Sequence, residues 1–151
     1  MDQPYGLLPL DALTVIRDVF QVREEEITNI SLMKKGMTNH SFSFHCHHKK
    51  YMIRIAGEGT DQLINRRQEY EVYQKIAPLQ ICDELVYLDP DRGYKITEYM
   101  EHARVCNTSR KEDVILCMRK LRQFHDLNLQ VSHTFNIFDQ IRRYESLWDG
   151  A

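Results

Sequence analysis

The sequence has no excess of positive charge: 20 Lys and Arg stand against 22 Asp and Glu, a formal charge of −2 over 151 residues. No basic field therefore exists to hold DNA or RNA by counterion release, and nucleic acid is not an expected partner. Long hydrophobic runs are missing as well. Pairs such as Leu7-Leu8 and Ile115-Leu116 are interrupted within a few residues, far short of the ~20 apolar residues a membrane span requires, so no membrane partner is expected either. Met1-Asp2-Gln3-Pro4 carries no positive stretch and no apolar stretch follows it, so no secretory leader is read there. The four cysteines, Cys46, Cys82, Cys106 and Cys117, form no C-x-x-C pair, which suits reduced thiols in a cytoplasm better than a disulfide framework. With six glycines, four prolines and no repeat, collagen-like and low-complexity architectures drop out. What is present, 42% hydrophobic and 28% charged residues, is the balance of a domain that buries a real core.

Leu10, Leu13, Ile16, Val19 and Phe20 recur at helical spacing, predicting a helix from about Leu10 to Val22 behind Pro9. The period then changes. Ile30 and Leu32 alternate with polar neighbours, as do Phe42, Phe44 and Cys46, predicting two strands around the turn Gly36 to Asn39; Tyr51 to Ile55 predicts a third. Leu63, Tyr70, Tyr73 and Ala77 share one face of a helix expected over Thr60 to Ala77, which Pro78 stops. Leu85 to Leu88 and Tyr94 to Thr97 flank Asp89-Pro90-Asp91-Arg92-Gly93, whose proline and glycine suit a tight reversal between antiparallel strands. Ser109 with Glu112 reads as a capping box before a helix from about Arg110 to Leu127, and a short last helix is expected over Phe138 to Leu147.

Certain residues point to phosphate chemistry. In Lys35-Gly36-Met37-Thr38-Asn39 a glycine lets backbone N–H groups approach phosphate oxygens, and Thr38 and Asn39 add donors, although such a segment is more often simply a turn. Arg54 interrupts an apolar strand, either as an edge-strand residue facing water or as a cation that needs a partner. The following helix offers Glu69 or Glu71. Glu69 is preferred because it stands one turn before Tyr73, and a strand cation clamped by a helix carboxylate is how kinases grip nucleotide phosphates. His45-Cys46-His47-His48 has metal-ligating residue types, but neighbours on a strand point to opposite faces and no second cluster completes a set, so no metal site is expected.

Together, Lys35-Gly36-Met37-Thr38-Asn39, Met52-Ile53-Arg54-Ile55, Leu63-Ile64-Asn65-Arg66 with Glu69, Ile96-Thr97-Glu98-Tyr99-Met100-Glu101 and Leu121-Arg122-Gln123-Phe124-His125 resemble the N-terminal part of bacterial choline kinases, in the choline/ethanolamine kinase and aminoglycoside phosphotransferase superfamily. The likeness runs in family order from the opening helix to Tyr144-Glu145. It implies that Gly36, Met37, Thr38 and Asn39 form the loop over the ATP phosphates, that Arg54 touches those phosphates, and that Glu69 orients Arg54. Glu98, Tyr99 and Met100 match the hinge, whose backbone would hold adenine; the same residues could be the end of an edge strand. The superfamily's catalytic H-x-D-x-x-x-x-N loop and its Mg²⁺-binding Asp are absent from these residues. His125-Asp126-Leu127-Asn128 puts Leu127 where the base belongs and reads as a helix end.

The expected architecture is therefore α+β: a protein-kinase-like N-terminal lobe with an antiparallel sheet of about five strands and a helix between the third and fourth, plus flanking helices. Residues 1–29 would form a helical lead-in, 30–101 the nucleotide-binding lobe with its hinge, and 102–151 helices leading to a second lobe not contained in the sequence. The resemblance implies an ATP-dependent kinase acting on the choline hydroxyl, with no catalytic or metal-binding residue in this part and with Mg²⁺ and choline held by the second lobe, so that the chain alone is inactive. A fragment of another small-alcohol or aminoglycoside phosphotransferase, and a non-catalytic interaction module, are the competing readings. Apolar residues between Met118 and Trp148 would lack cover, so self-association through the C-terminal helices is expected.

Overall fold

A computed structural model of the chain describes residues 8–35 and 39–148. Helix α1 (Leu10–Phe20) begins directly after Pro9, whose carbonyl accepts the N–H of Leu13 at 3.1 Å. Its buried stripe is Ala12, Leu13, Val15 and Ile16. Five strands follow, β1 (Thr28–Lys35), β2 (Asn39–Cys46), β3 (Lys49–Ala56), β4 (Leu85–Asp89) and β5 (Tyr94–Glu98), in one sheet ordered β1-β2-β3-β5-β4. Every neighbouring pair is antiparallel. Helix α2 (Arg66–Ile76) separates β3 from β4 in sequence, and α3 (Lys111–Asp126) and α4 (Ile137–Ser146) follow β5. This is the five-stranded sheet, with one helix between its third and fourth strands, that the alternation of the sequence predicts.

Because strand side chains alternate, the sheet has two unlike faces. Phe42, Phe44, Tyr51, Ile53, Tyr94 and Ile96 are buried in one core with the α1 stripe. Phe20 closes it, edge-on to Phe44 at 5.8 Å between centroids and tilted on Tyr51 at 4.6 Å. Each such fully buried apolar side chain stabilises the fold by roughly 1.5–3 kcal/mol. The other face carries Ser41, Ser43 and His45 from β2, Lys50, Met52 and Arg54 from β3, and Lys95 and Thr97 from β5. It is polar, and α2 reaches it.

Two turns fix the register. His47 and His48, with φ of 47° and 62°, form a two-residue hairpin loop between the partners Cys46 and Lys49. That left-handed pair is the geometry of a type I′ turn, and histidine tolerates it better than most non-glycine residues. Between β4 and β5, Asp89 Oδ1 accepts the N–H groups of Asp91 and Arg92, both at 2.9 Å. Gly93 then takes φ +73°, and a Cβ there would sit 2.6 Å from the Ala56 Cβ.

Several elements differ from expectation. The helix predicted over Thr60 to Ala77 is three pieces: a 3-10 turn (Thr60–Gln62), α2, and a second 3-10 turn (Ala77–Leu79) that contains Pro78. Asn65 is the reason for the late start, since its side chain accepts the N–H of Gln68 at 3.2 Å and caps α2. Leu63 and Tyr70, expected on a buried stripe, are exposed. The half-buried face is Glu69, Val72, Tyr73 and Ile76, because α2 meets a polar sheet face rather than an apolar core. In β1 the pairing shifts between Thr28 and Ser31, with Asn29 at φ 51°, so Ile27 and Ile30 are both buried while Leu32 is exposed on the edge strand. Ser109 does not cap α3: Arg110 occupies that place without a side-chain bond, and Asp113 instead accepts from the Asn107 N–H at 3.0 Å and from Arg104. Trp148 and Phe138, in the segment expected to lack cover, are 71% and 66% exposed.

Candidate nucleotide site

The polar face is organised around Arg54. Since β3 lies between β2 and β5, Arg54 belongs to an inner strand rather than an edge, and its side chain is 24% exposed. Arg54 Nη2 donates to Glu69 Oε1 at 2.6 Å. Glu71 points elsewhere and accepts from the backbone and hydroxyl of Ser132, with His133 Nδ1 3.2 Å away. Those bonds, the Ser132 hydroxyl first, hold the Glu71 carboxyl below the usual range. Glu69 is thus the carboxylate that meets the strand cation, and Glu71 straps α2 to the segment before α4.

Three buried polar atoms on this face, His45 Nδ1, Arg54 Nε and Thr97 Oγ1, have no partner among the described residues. Buried polar atoms are rarely left unsatisfied in a native fold, and these three lie along one polar face of the sheet. Gly36, Met37 and Thr38 lie outside the described residues. Asn39 opens β2 opposite Ala56, two residues beyond Arg54 on the neighbouring strand.

At the other end of β3, Glu98 closes β5. Its carboxylate accepts from Lys49 Nζ at 2.6 Å, a bond that raises the Lys49 pKa. The Glu98 N–H donates to the Glu84 carbonyl at 2.9 Å and the Tyr99 N–H to the Lys50 carbonyl at 3.0 Å. Neither bond involves Met100, which is exposed. Lys50 Nζ lies 3.8 Å from the centre of the Tyr99 ring. His45, Lys49, Lys50, Glu98, Tyr99 and Glu101 are among the residues that line an open cavity of about 270 Å³ here. From Lys50 to Arg54 the strand advances roughly 13 Å, a distance suited to an extended nucleotide with its base at one end and its phosphates at the other. Lys50 and Thr97 escaped sequence reasoning, although both follow from the two-residue alternation once the register of β3 with β5 is known.

An antiparallel five-stranded sheet, a helix inserted between its third and fourth strands, and an inner-strand cation clamped by that helix define the N-terminal lobe of a protein-kinase-like fold. The chain belongs to the choline/ethanolamine kinase family, whose sequence model matches residues 30–149. "Probable choline kinase 3" of Arabidopsis thaliana is 25% identical over 161 residues, covering 93% of this chain and 45% of its own length. Protein LicA of Haemophilus influenzae is 28% identical over 117 residues, covering 74% of this chain and 34% of its own. The crystal structure of choline kinase LicA from Streptococcus pneumoniae superposes with a TM-score of 0.74 at 26% identity, across 91% of this chain and 48% of that one. A structure of LicA in complex with AMP gives 0.73. The chain spans less than half the length of these relatives.

Proposed function

We propose that this chain is the ATP-gripping lobe of a cytoplasmic choline kinase, which transfers the γ-phosphoryl group of ATP to the choline hydroxyl. The observation that carries this reading is the Arg54–Glu69 pair at 2.6 Å on an inner strand, next to an Arg54 Nε that has no partner among the described residues. Arg54 would bond the phosphates, with Glu69 keeping its guanidinium in place. The loop of Gly36, Met37, Thr38 and Asn39 would cover the phosphates with backbone N–H groups. Adenine would lie against Tyr99 and take its backbone bonds from Glu98 and Met100. That a relative crystallises as a complex with AMP supports a nucleotide as the ligand of the shared lobe.

In phosphoryl transfer the protein contributes position and charge stabilisation rather than covalent chemistry. This portion supplies the grip on the nucleotide. Among the described residues no three His, Cys, Asp or Glu side chains converge to hold a metal. The sequence also lacks an H-x-D-x-x-x-x-N loop. Catalytic base, Mg²⁺ ligands and choline pocket then fall to a second lobe, and these 151 residues alone turn over no choline.

Titration calorimetry with ATP tests the site. The chain is expected to bind ATP weakly, Arg54→Ala to lower the affinity about tenfold or more, in line with a lost charge-assisted bond to phosphate, and Glu71→Gln to leave it unchanged. Heat of binding that is indifferent to Arg54→Ala would place the nucleotide elsewhere. A radiolabelled phosphate-transfer assay on choline should show no turnover by the 151 residues and turnover by a chain extended through a second lobe.

A further inference from the structure

Arg54 on β3 and Lys95 on β5 are cross-strand partners, so two cations stand side by side on one face of the sheet. Like charges directly opposite each other repel, and here little water screens them: the side chains are 24% and 8% exposed. Each cation has its own acceptor on α2, one helical turn apart. Arg54 takes Glu69; Lys95 Nζ donates to the Tyr73 hydroxyl oxygen at 2.6 Å, and that hydroxyl donates onward to Asp83 Oδ1 at 3.1 Å. Asp83 Oδ2 lies 3.4 Å from Lys95 Nζ, and the ammonium stands 4.6 Å from the centre of the Tyr73 ring. Burial keeps the Tyr73 phenol protonated, as this two-way bonding requires. Asp83 sits in the connection between α2 and β4, so three elements meet at one lysine.

Glu69 and Tyr73 are neighbours at i and i+4 on α2, with Cβ atoms about 5–6 Å apart. Glu69, the carboxylate that serves Arg54, therefore stands one helical turn from the acceptor that Lys95 uses. We propose that the Lys95–Tyr73–Asp83 relay is a positioning device for the nucleotide site: it occupies the second cation and sets the roll of α2, reserving Glu69 for Arg54. Tyr73, Asp83 and Lys95 act through Glu69 and need not touch the nucleotide. The inference rests on the nucleotide reading given above.

Rescue separates this role from a merely structural one. Tyr73→Phe and Asp83→Asn are each expected to weaken ATP binding by roughly five- to tenfold in calorimetry. Adding Lys95→Met to Asp83→Asn is expected to restore most of that affinity, because the competing cation is gone. A structural role for the relay predicts the reverse, a double variant that binds no better than Asp83→Asn. The Arg54 Nε–H resonance in heteronuclear NMR gives a second readout that needs no nucleotide, and Tyr73→Phe is expected to shift it. If wild type binds no ATP, the nucleotide reading fails while this resonance still tests the relay. An Arg54 resonance unmoved by Tyr73→Phe, or a double variant without rescue, overturns the relay.

Discussion

At the scale of single residues, charged side chains fix positions that hydropathy leaves open. Asp113 is the clearest case. It is 4% exposed, and bonds from the Arg104 guanidinium first, then from the Asn107 N–H, hold its pKa down to about 2. The sign follows from the depression. An ordinary aspartate titrates near ~3.9, so the stability Asp113 contributes is present above that pH and is lost as pH falls through about 2. Thermal melts between pH 6 and pH 2, roughly the range that brackets both values, should show this loss in wild type. Asp113→Asn should melt lower at neutral pH and show less of the acid-dependent drop; identical pH profiles would mean that the bonds to Arg104 and Asn107 add nothing. The residue-level chemistry was partly legible in sequence. An arginine inside an apolar strand announces a need for a partner, and Glu69 follows from its spacing to Tyr73. The buried stripe used to place it was misjudged, however, because Tyr70 is exposed and α2 faces polar side chains. The Lys95 relay was not legible: a lysine in a short strand looks solvent-facing until the sheet order β3-β5-β4 puts it on an inner strand.

At the scale of elements, period-two and period-3.6 patterns located the five strands and four α-helices of the described residues but not the 3-10 turns, and the errors fall where one polar side chain decides a boundary. Asn65 starts α2, Asn136 accepts from the Phe138 and Asp139 N–H groups to start α4, and α3 starts at Arg110, without a side-chain cap from Ser109. Hydropathy carries no information about such choices, since serine, asparagine and aspartate are all competent caps. The β4–β5 turn was legible from its proline and glycine, and the structure shows why glycine is required. Gly93 combines a left-handed backbone with contact against Ala56, whose own N–H donates to the Gly93 carbonyl at 3.0 Å. Gly93→Ala is expected to destabilise by about 1–3 kcal/mol in chemical denaturation. A variant as stable as wild type would show that the turn relaxes freely away from β3.

At the scale of the whole molecule, α3 and α4 stand apart from the core. Among the large hydrophobic residues they carry or adjoin, Leu116, Met118, Phe124, Phe138, Ile141 and Trp148 are all exposed. The hydrogen bonds that tie them to the rest run through Ser132 and His133 on Glu71 and the Tyr144 hydroxyl on the Leu63 carbonyl. Apolar surface gathered in this way finds cover. We expect the isolated chain to self-associate, and sedimentation velocity across a concentration series should show species larger than a monomer. Phe138→Ser and Trp148→Ser should shift that balance toward monomer. A strictly monomeric wild type with the emission of a buried indole would show that Trp148 folds back onto its own lobe.

The sheet order also dictates how the chain assembles in time. β1, β2 and β3 form a meander of short loops, and β4 and β5 form a separate hairpin. Only the β3–β5 ladder joins residues distant in sequence, and at its centre Ile53 lies opposite Ile96, both fully buried. Closing that long loop costs chain entropy before any contact repays it, which makes it the natural kinetic bottleneck. In stopped-flow measurements, Ile53→Val and Ile96→Val should slow refolding, whereas Ile30→Val on the edge strand should mainly speed unfolding. The two pieces of sheet would then exist before the site does, and Arg54 would meet Lys95, Glu69 and Thr97 only in the last committed step of folding.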